Sequence, residues 1–474
     1  MNLETMTEDL KQIHLASMRI LEETGMKFHH PEVVELLKKN GVRLDGQTAY
    51  FTREQVMEWI GKAPSAFTMY ARNPKYDITV GGDNVECFPA YGSPLIQELD
   101  GSKRPAQMED YVQFLKLYQQ CSHFNANGGM IVQPADMAGH YGIGALLYAT
   151  LLHSDKCIVT GAGKADEVEA LMDMLGIVFG KDDLVNKPRA TTIVNTNTPL
   201  QLDRTMLETL LVFTKYSQPA VIAACAMAGT TAPITLAGTM ALHNAEVLAG
   251  IVAAQMMNPG TPVVYGTQTT TADMKTGSIA SGSPEGALCY QYGARLAKAY
   301  GLPCRGGGAV TDAKSLSIQA GYESMLTLLA DHGAKTNIII HAAGIVDSYG
   351  CVSYEKMIAD FEIIGMVRRY LKGIEVNAET LAISVINNVG IAGHFLAQDH
   401  TMRHCRKEPF LPEISLRGAV TGDPAAQLLK NIREKMATML ATYTRPELSD
   451  DIIQELKKYL ISKGINEEEL NKLG

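Results

Sequence analysis

From about residue 107 onward the chain alternates between two apolar spacings. Short β-prone runs at Gly129–Gln133, Cys157–Gly161, Thr191–Asn195, Ala220–Ala224, Pro262–Gly266, Pro303–Gly307 and Asn337–Ala342 read as strands. Between them, 164–179, 203–216, 241–257, 284–300, 316–332 and 353–372 carry the three-to-four-residue spacing of helices. An eighth strand is expected near Gly393–Ala397. Seven or eight such βα units, with no G-x-G-x-x-G after the first strand, predict an α/β fold of the (β/α)8 TIM-barrel type rather than an open doubly wound sheet. Ahead of the repeat, 6–25, 31–40 and 53–61 read as helices. Residues 67–100 read as short strands, with Asp100-Gly101 as a hairpin turn. The expected organisation is a capping region of helices and small β segment at 1–106, a catalytic barrel at 107–423 and a helical tail at 424–474.

Composition narrows the partners. The chain has 474 residues, 46% hydrophobic and 20% charged, with net charge −9 and no long basic run, which argues against nucleic acid. The N-terminus lacks the basic and apolar regions of a signal peptide. No uncharged apolar stretch of about 18 residues stands out to span a bilayer. Eight scattered cysteines without a C-x-x-C pair suit buried free thiols, and a cytoplasmic location is expected. An Ala- and Leu-rich surface on a chain of this length suggests a homo-oligomer.

Candidate chemistry gathers in the loops after PVVYG (262–266) and PCRGGG (303–308), where a barrel places its site. No Walker loop, H-E-x-x-H or G-x-S-x-G occurs. The three glycines 306–308 are followed by no basic residue and read as a tight turn. His394, Asp399, His400, His404 and Cys405 cluster without a zinc spacing, so no metal is expected on this chain. Tyr91, Tyr265, Tyr349 and Tyr354 fall at strand ends or in polar loops. Tyrosine faces with few fixed cations nearby suit a quaternary ammonium group, although such residues also simply pack.

The segments at 89–111, 231–266, 273–285, 341–360 and 393–401, among them DMKTGSIASGSPE and GHFLAQDHT, resemble the trimethylamine methyltransferase family. The likeness runs from about residue 10 to 440. It implies a (β/α)8 methyltransferase delivering a methyl group to cobalamin held by a separate corrinoid-binding protein, with no D-x-H-x-x-G corrinoid motif here. Members that demethylate trimethylamine carry pyrrolysine at a position corresponding to Ser348 or Tyr349, where this chain has ordinary residues. The resemblance therefore implies a quaternary amine such as glycine betaine or proline betaine as the small-molecule substrate.

On that reading Tyr91, Tyr265, Tyr349 and Phe395 are candidates for the ammonium cage. His341 and Gln268 could hydrogen-bond a carboxylate, and Asn195 and Asn197 could complete a polar wall. Asp312, Asp347 and Tyr349 are the candidate catalytic residues, Asp312 either favouring the cation or capping the helix near 315. Two other readings are a quaternary-ammonium binding protein without turnover and a Schiff-base lyase using Lys275 or Lys314.

Overall fold

The computed structural model describes residues 6–473 apart from Ala138. Eight parallel strands form the barrel: β1 Glu86–Cys87, β2 Ala126–Gly128, β3 Cys157–Val159, β4 Ala190–Asn195, β5 Ala220–Ala224, β6 Val263–Thr267, β7 Cys304–Gly306 and β8 Ile338–Ile339. The ring closes where Ile338 of β8 pairs with Glu86 of β1, and where a parallel bridge joins Cys87 to Phe124 just before β2. A helix follows each strand: α1 Met108–Gln120, α2 Gly142–His153, α3 Ala165–Phe179, α4 Arg204–Lys215, α5 Leu236–Met257, α6 Pro284–Tyr300, α7 Ile318–Gly333 and α8 Tyr354–Leu371. This is the (β/α)8 fold that the repeat predicts.

The eighth strand is not where it was expected. It is β1, ahead of residue 107, whereas 393–397 is irregular, exposed chain beyond α8. Only two residues of β1 pair regularly and one is Glu86, so no apolar run marks it. The first expected strand is also offset, with β2 ending where Gly129–Gln133 was read to begin.

Strand alternation divides the core in two. Val221, Ala223, Val264 and Ile338 point into the barrel, while Ala220, Ile222 and Tyr265 point out against the helices. A hairpin of Ala66–Met69 and Ile78–Gly81 stoppers the amino-terminal end of the barrel. Its Met69, Ile78 and Val80 join the inner cluster, and Cys157 Sγ lies 3.4 Å from the carbonyls of both Met69 and Tyr76.

Helix α5 is apolar on all sides because it is covered on all sides. The barrel lies beneath it, and the helices Glu8–Arg19 and Arg53–Ile60 lie above. By length and composition it could cross a membrane, yet it carries Glu246 and 83% of its most apolar window is buried within the chain. Each fully buried Leu248, Ile251 or Val252 stabilises this packing by about 1.5–3 kcal/mol. The one acid inside, Glu246, accepts from Thr198 Oγ1 at 2.8 Å and the Leu200 N–H at 2.7 Å, fastening the loop after β4. The covering helix Arg53–Ile60 starts with a capping box between Thr52 and Gln55, worth about 1 kcal/mol.

Candidate active site

At the carboxyl end of the strands, loops after β1 and β8 combine into a four-stranded rim. Its strands are Leu95–Gln97, Lys103–Pro105, Ile345–Val346 and Cys351–Val352, and the hairpin around Asp100-Gly101 forms one side. The turn between the last two strands holds Asp347, Ser348 and Tyr349 at φ of +53°, +52° and +73°. Left-handed backbone costs an ordinary residue about 1–2 kcal/mol, so three in succession need strong external support.

That support comes from two carboxylates. Asp347 forms ion pairs with Lys103 and Lys314, tying together the loops after β1, β7 and β8. Burial opposes the Asp347 charge, but the two lysines outweigh it and hold its pKa below the ordinary value. Asp312 accepts from Ser348 Oγ at 2.7 Å, Ser281 Oγ at 2.7 Å and the Ser281 N–H at 2.8 Å. Glu323 in turn accepts from the Asp312 N–H at 2.8 Å. Behind the turn, the buried pair Lys356–Asp360 bonds the Ala309 carbonyl and the Gly344 N–H. Asp312 and Asp347 thus brace the loop with both carboxylates. The cap of α7 is Ser317, not Asp312.

The product of this bracing is the placement of Tyr349. Its hydroxyl meets the Gln268 amide and lies 3.4 Å from the Tyr290 hydroxyl, and its ring sits 5.0 Å from that of His341 at 57°. The Tyr91 N–H donates to His341 Nδ1 at 3.2 Å, and the Tyr91 hydroxyl reaches the Thr160 carbonyl at 3.3 Å. Asn195 shares the inward face of Ile193 and is exposed at the rim.

Below the aromatic ring of residues lies Arg305, 3% exposed on β7. One guanidinium nitrogen donates to the Thr267 carbonyl at 3.2 Å, but its Nε has no partner, and neither does the buried Gln268 Oε1. The Arg305 charge acts on Tyr91, Tyr290, His341 and Tyr349. Burial raises the three tyrosines, Tyr91 to about 12, and lowers His341 well below its ordinary value, with Arg305 adding to the latter. His341 is therefore neutral at pH 7, accepting at Nδ1 and carrying its proton on Nε2. Burial also drives Asp331 well above the carboxylate range and favours its neutral form. The site is a set of neutral dipoles and aromatic faces around one desolvated cation.

Tyr91, Gln268, His341 and Tyr349 are thus brought together. Three expected members are not. Tyr265 faces outward, its hydroxyl donating to Asn244 Oδ1 on α5 at 2.9 Å. Phe395 is 46% exposed on the excursion beyond α8. Asn197 spends its carbonyl on the Asp203 N–H at 3.0 Å, shaping the turn before α4. Two members escape the sequence reading, Arg305 and Tyr290. A lone arginine within an apolar strand was the available signal for the first. For Tyr290 the trace is Gly307, where a Cβ would lie 2.4 Å from its ring. Among the described residues, no group of three or more His, Cys, Asp or Glu side chains could hold a metal ion.

Such a mouth lies where a (β/α)8 barrel enzyme places its chemistry. The family model for trimethylamine methyltransferase (MTTB) matches residues 2–466, and the chain belongs to that family and is a methyltransferase. It is 39% identical over 463 residues to a glycine betaine methyltransferase of Desulfitobacterium hafniense strain Y51, covering 97% of each chain. To the trimethylamine methyltransferase MttB of D. hafniense strain DSM 10664 / DCB-2 it is 30% identical, covering 95% of this chain and 92% of the relative. A proline betaine:corrinoid methyltransferase of Eubacterium limosum is 29% identical, covering 96% of both.

Proposed function

We infer that this enzyme takes a methyl group from a quaternary amine bearing a carboxylate, glycine betaine first among the candidates, and passes it to the corrinoid of a separate cytoplasmic protein. The carrying observation is the buried Arg305 guanidinium with its unpartnered Nε, under a mouth of neutral aromatics. A zwitterion fits this polarity in one direction. Its carboxylate turns toward Arg305 and the Gln268 amide, and its ammonium turns toward the faces of Tyr349, Tyr91 and neutral His341, away from the guanidinium.

The chemistry asks little more of the chain. A quaternary nitrogen is already positive, so loss of a methyl leaves a neutral tertiary amine and no proton is needed at nitrogen. The partner's reduced corrinoid supplies the nucleophile when docked. This chain's residues desolvate the cation, aim one methyl outward and exclude water. Tyr349, held rigidly in a strained turn, orients the ammonium. The ordinary residues at Ser348 and Tyr349 support a substrate activated in advance over trimethylamine. The name of the 39% identical relative, a glycine betaine methyltransferase, supports the same substrate class.

The test is anaerobic incubation with cob(I)alamin and glycine betaine, proline betaine, carnitine, γ-butyrobetaine or trimethylamine. Cob(I)alamin is followed spectroscopically and the demethylated amine by mass spectrometry. Turnover of a carboxylated quaternary amine and not of trimethylamine is expected. Turnover of trimethylamine alone refutes the reading, and tight betaine binding without turnover, even with a cognate corrinoid protein, leaves a binding protein.

A further inference from the structure

Beyond α8 the chain makes a long excursion that has no core. From Leu371 to Glu413 no residue is buried. The segment is nevertheless organised into helices Ala378–Leu381, Ile383–Val389 and Asp399–His404, the first with an Asn377 capping box. Helices of this length do not hold themselves together in water, because nucleation is costly and is ordinarily offset by packing. Ala382 and Ala392 also adopt left-handed backbone, at φ of +49° and +60°. Such conformations persist where surrounding structure enforces them, and here the protomer supplies polar contacts, Glu379 with Arg403 and His404 at 3.4 Å each, but no buried packing.

The segment exposes many large apolar side chains. Ile374, Val376, Ile383, Ile391, Leu396 and Met402 are each 58–103% exposed, and eleven large apolar side chains between Leu371 and Leu411 are at least 37% exposed. At roughly 100 Å² for a large aliphatic side chain, they present on the order of 700 Å². The largest apolar patch on a typical monomer is about 300–600 Å², and a stable interface takes about 800 Å² from each partner.

Both ends of the excursion are fastened. Arg369 pairs with Glu408 at 2.9 Å, Phe410 packs on Gly365, and Glu362 accepts from the N–H groups of Glu413 and Ile414 at 2.7 Å each. These anchors lie on α8 toward Leu371, the end remote from the barrel mouth. A corrinoid protein must approach that mouth, and an interface made and broken at every turnover is smaller and more polar than this one.

We propose that residues 372–413 form an arm that packs against a second copy of this chain, making the protein an obligate oligomer. The assignment is independent of the amine substrate. Sedimentation equilibrium of the full chain is the test, with wild type beside the double variant Ile391→Asp/Leu396→Asp. Both side chains are exposed within the protomer, so circular dichroism should be unchanged. Ile461→Asp, on the tail helix, serves as the control. The expected result is an oligomer for wild type and the control, and at least a 100-fold weaker association for the double variant. A monomeric wild type at tens of micromolar overturns the proposal, as does a double variant that associates like wild type. Hydrogen exchange on the unmodified protein gives a second readout that does not depend on any variant folding. Amides of 383–404 should be protected in the oligomer and lose protection on dilution. Exchange within seconds at every concentration, or protection acquired only with a corrinoid protein, overturns it equally.

Discussion

The backbone N–H of Tyr91 donates to Nδ1 of His341 across 3.2 Å, joining the loop after β1 to the end of β8. This bond uses the one lone pair that a neutral imidazole has, and burial keeps the imidazole neutral. His341→Leu should therefore lose about 1–3 kcal/mol by leaving a buried N–H unpaired, while His341→Asn recovers part of it through its carbonyl. Chemical denaturation of the two variants checks this. Activity of wild type should show no titration of His341 between pH 6 and 8, because its pKa lies well below that window.

Arg305 should act on carboxylated substrates alone. Replacing it with Met removes a charge-assisted contact of about 2–3 kcal/mol, so KM for the preferred betaine should rise about 100-fold. Binding of tetramethylammonium, which has no carboxylate, should be unchanged or tighter, since a repelling cation has gone. Titration calorimetry with both ligands separates these outcomes, and equal losses for the two would remove Arg305 from the carboxylate role.

Asp347 braces a turn of three left-handed residues. Its lysine partners are partly solvent-exposed, so the ion pairs add only about 0–1 kcal/mol to global stability. Released from them, Tyr349 loses its aim, and Asp347→Ala should lower kcat by about 10–100-fold with little change in Tm. Steady-state kinetics beside a melting curve distinguishes a positioning defect from unfolding.

Acid should unfold this protein early. His14, His123, His153 and His332 are lowered by burial to about 4 and His243 to about 3. Their folded values lie below the unfolded value of 6.5, so the unfolded chain binds more protons on the way down. The stability they contribute is complete above pH 6.5 and is lost as pH falls toward 4. Each contributes a slope of up to about 1.4 kcal/mol per pH unit in that window. Urea midpoints at pH 8, 6 and 5 should therefore drop steeply below 6.5, and a flat profile would refute the buried neutral histidines.

The repeat was legible because six strands and six helices each carry an apolar period long enough to count. What escaped has physical reasons. Strand β1 pairs over two residues, one of them charged, and leaves no apolar run. Tyr265 looked like a strand-end residue, but all of Val263–Thr267 is buried, so burial on both faces erased the alternation that tells inside from outside. Phe395 lies in an apolar run whose cover is not in this protomer. Tyr91, Gln268, His341 and Tyr349 were legible because polar and aromatic residues past strand ends can gather only at the mouth. Asp312 and Asp347 stood in the mouth loops, but which loops their carboxylates tie together depends on long-range contacts that no local pattern carries.

The hairpin under the barrel has a kinetic consequence. With Met69, Ile78 and Val80 seated among the inward side chains, the amino-terminal end is filled, and among the described residues the mouth under the rim is left as the doorway. On the proposed reaction the amine and the corrinoid protein must share it. The amine then has to enter before the larger protein docks, and the demethylated product can depart only after that protein withdraws. A stopper at one end of a barrel thus becomes a compulsory order of arrival and departure at the other.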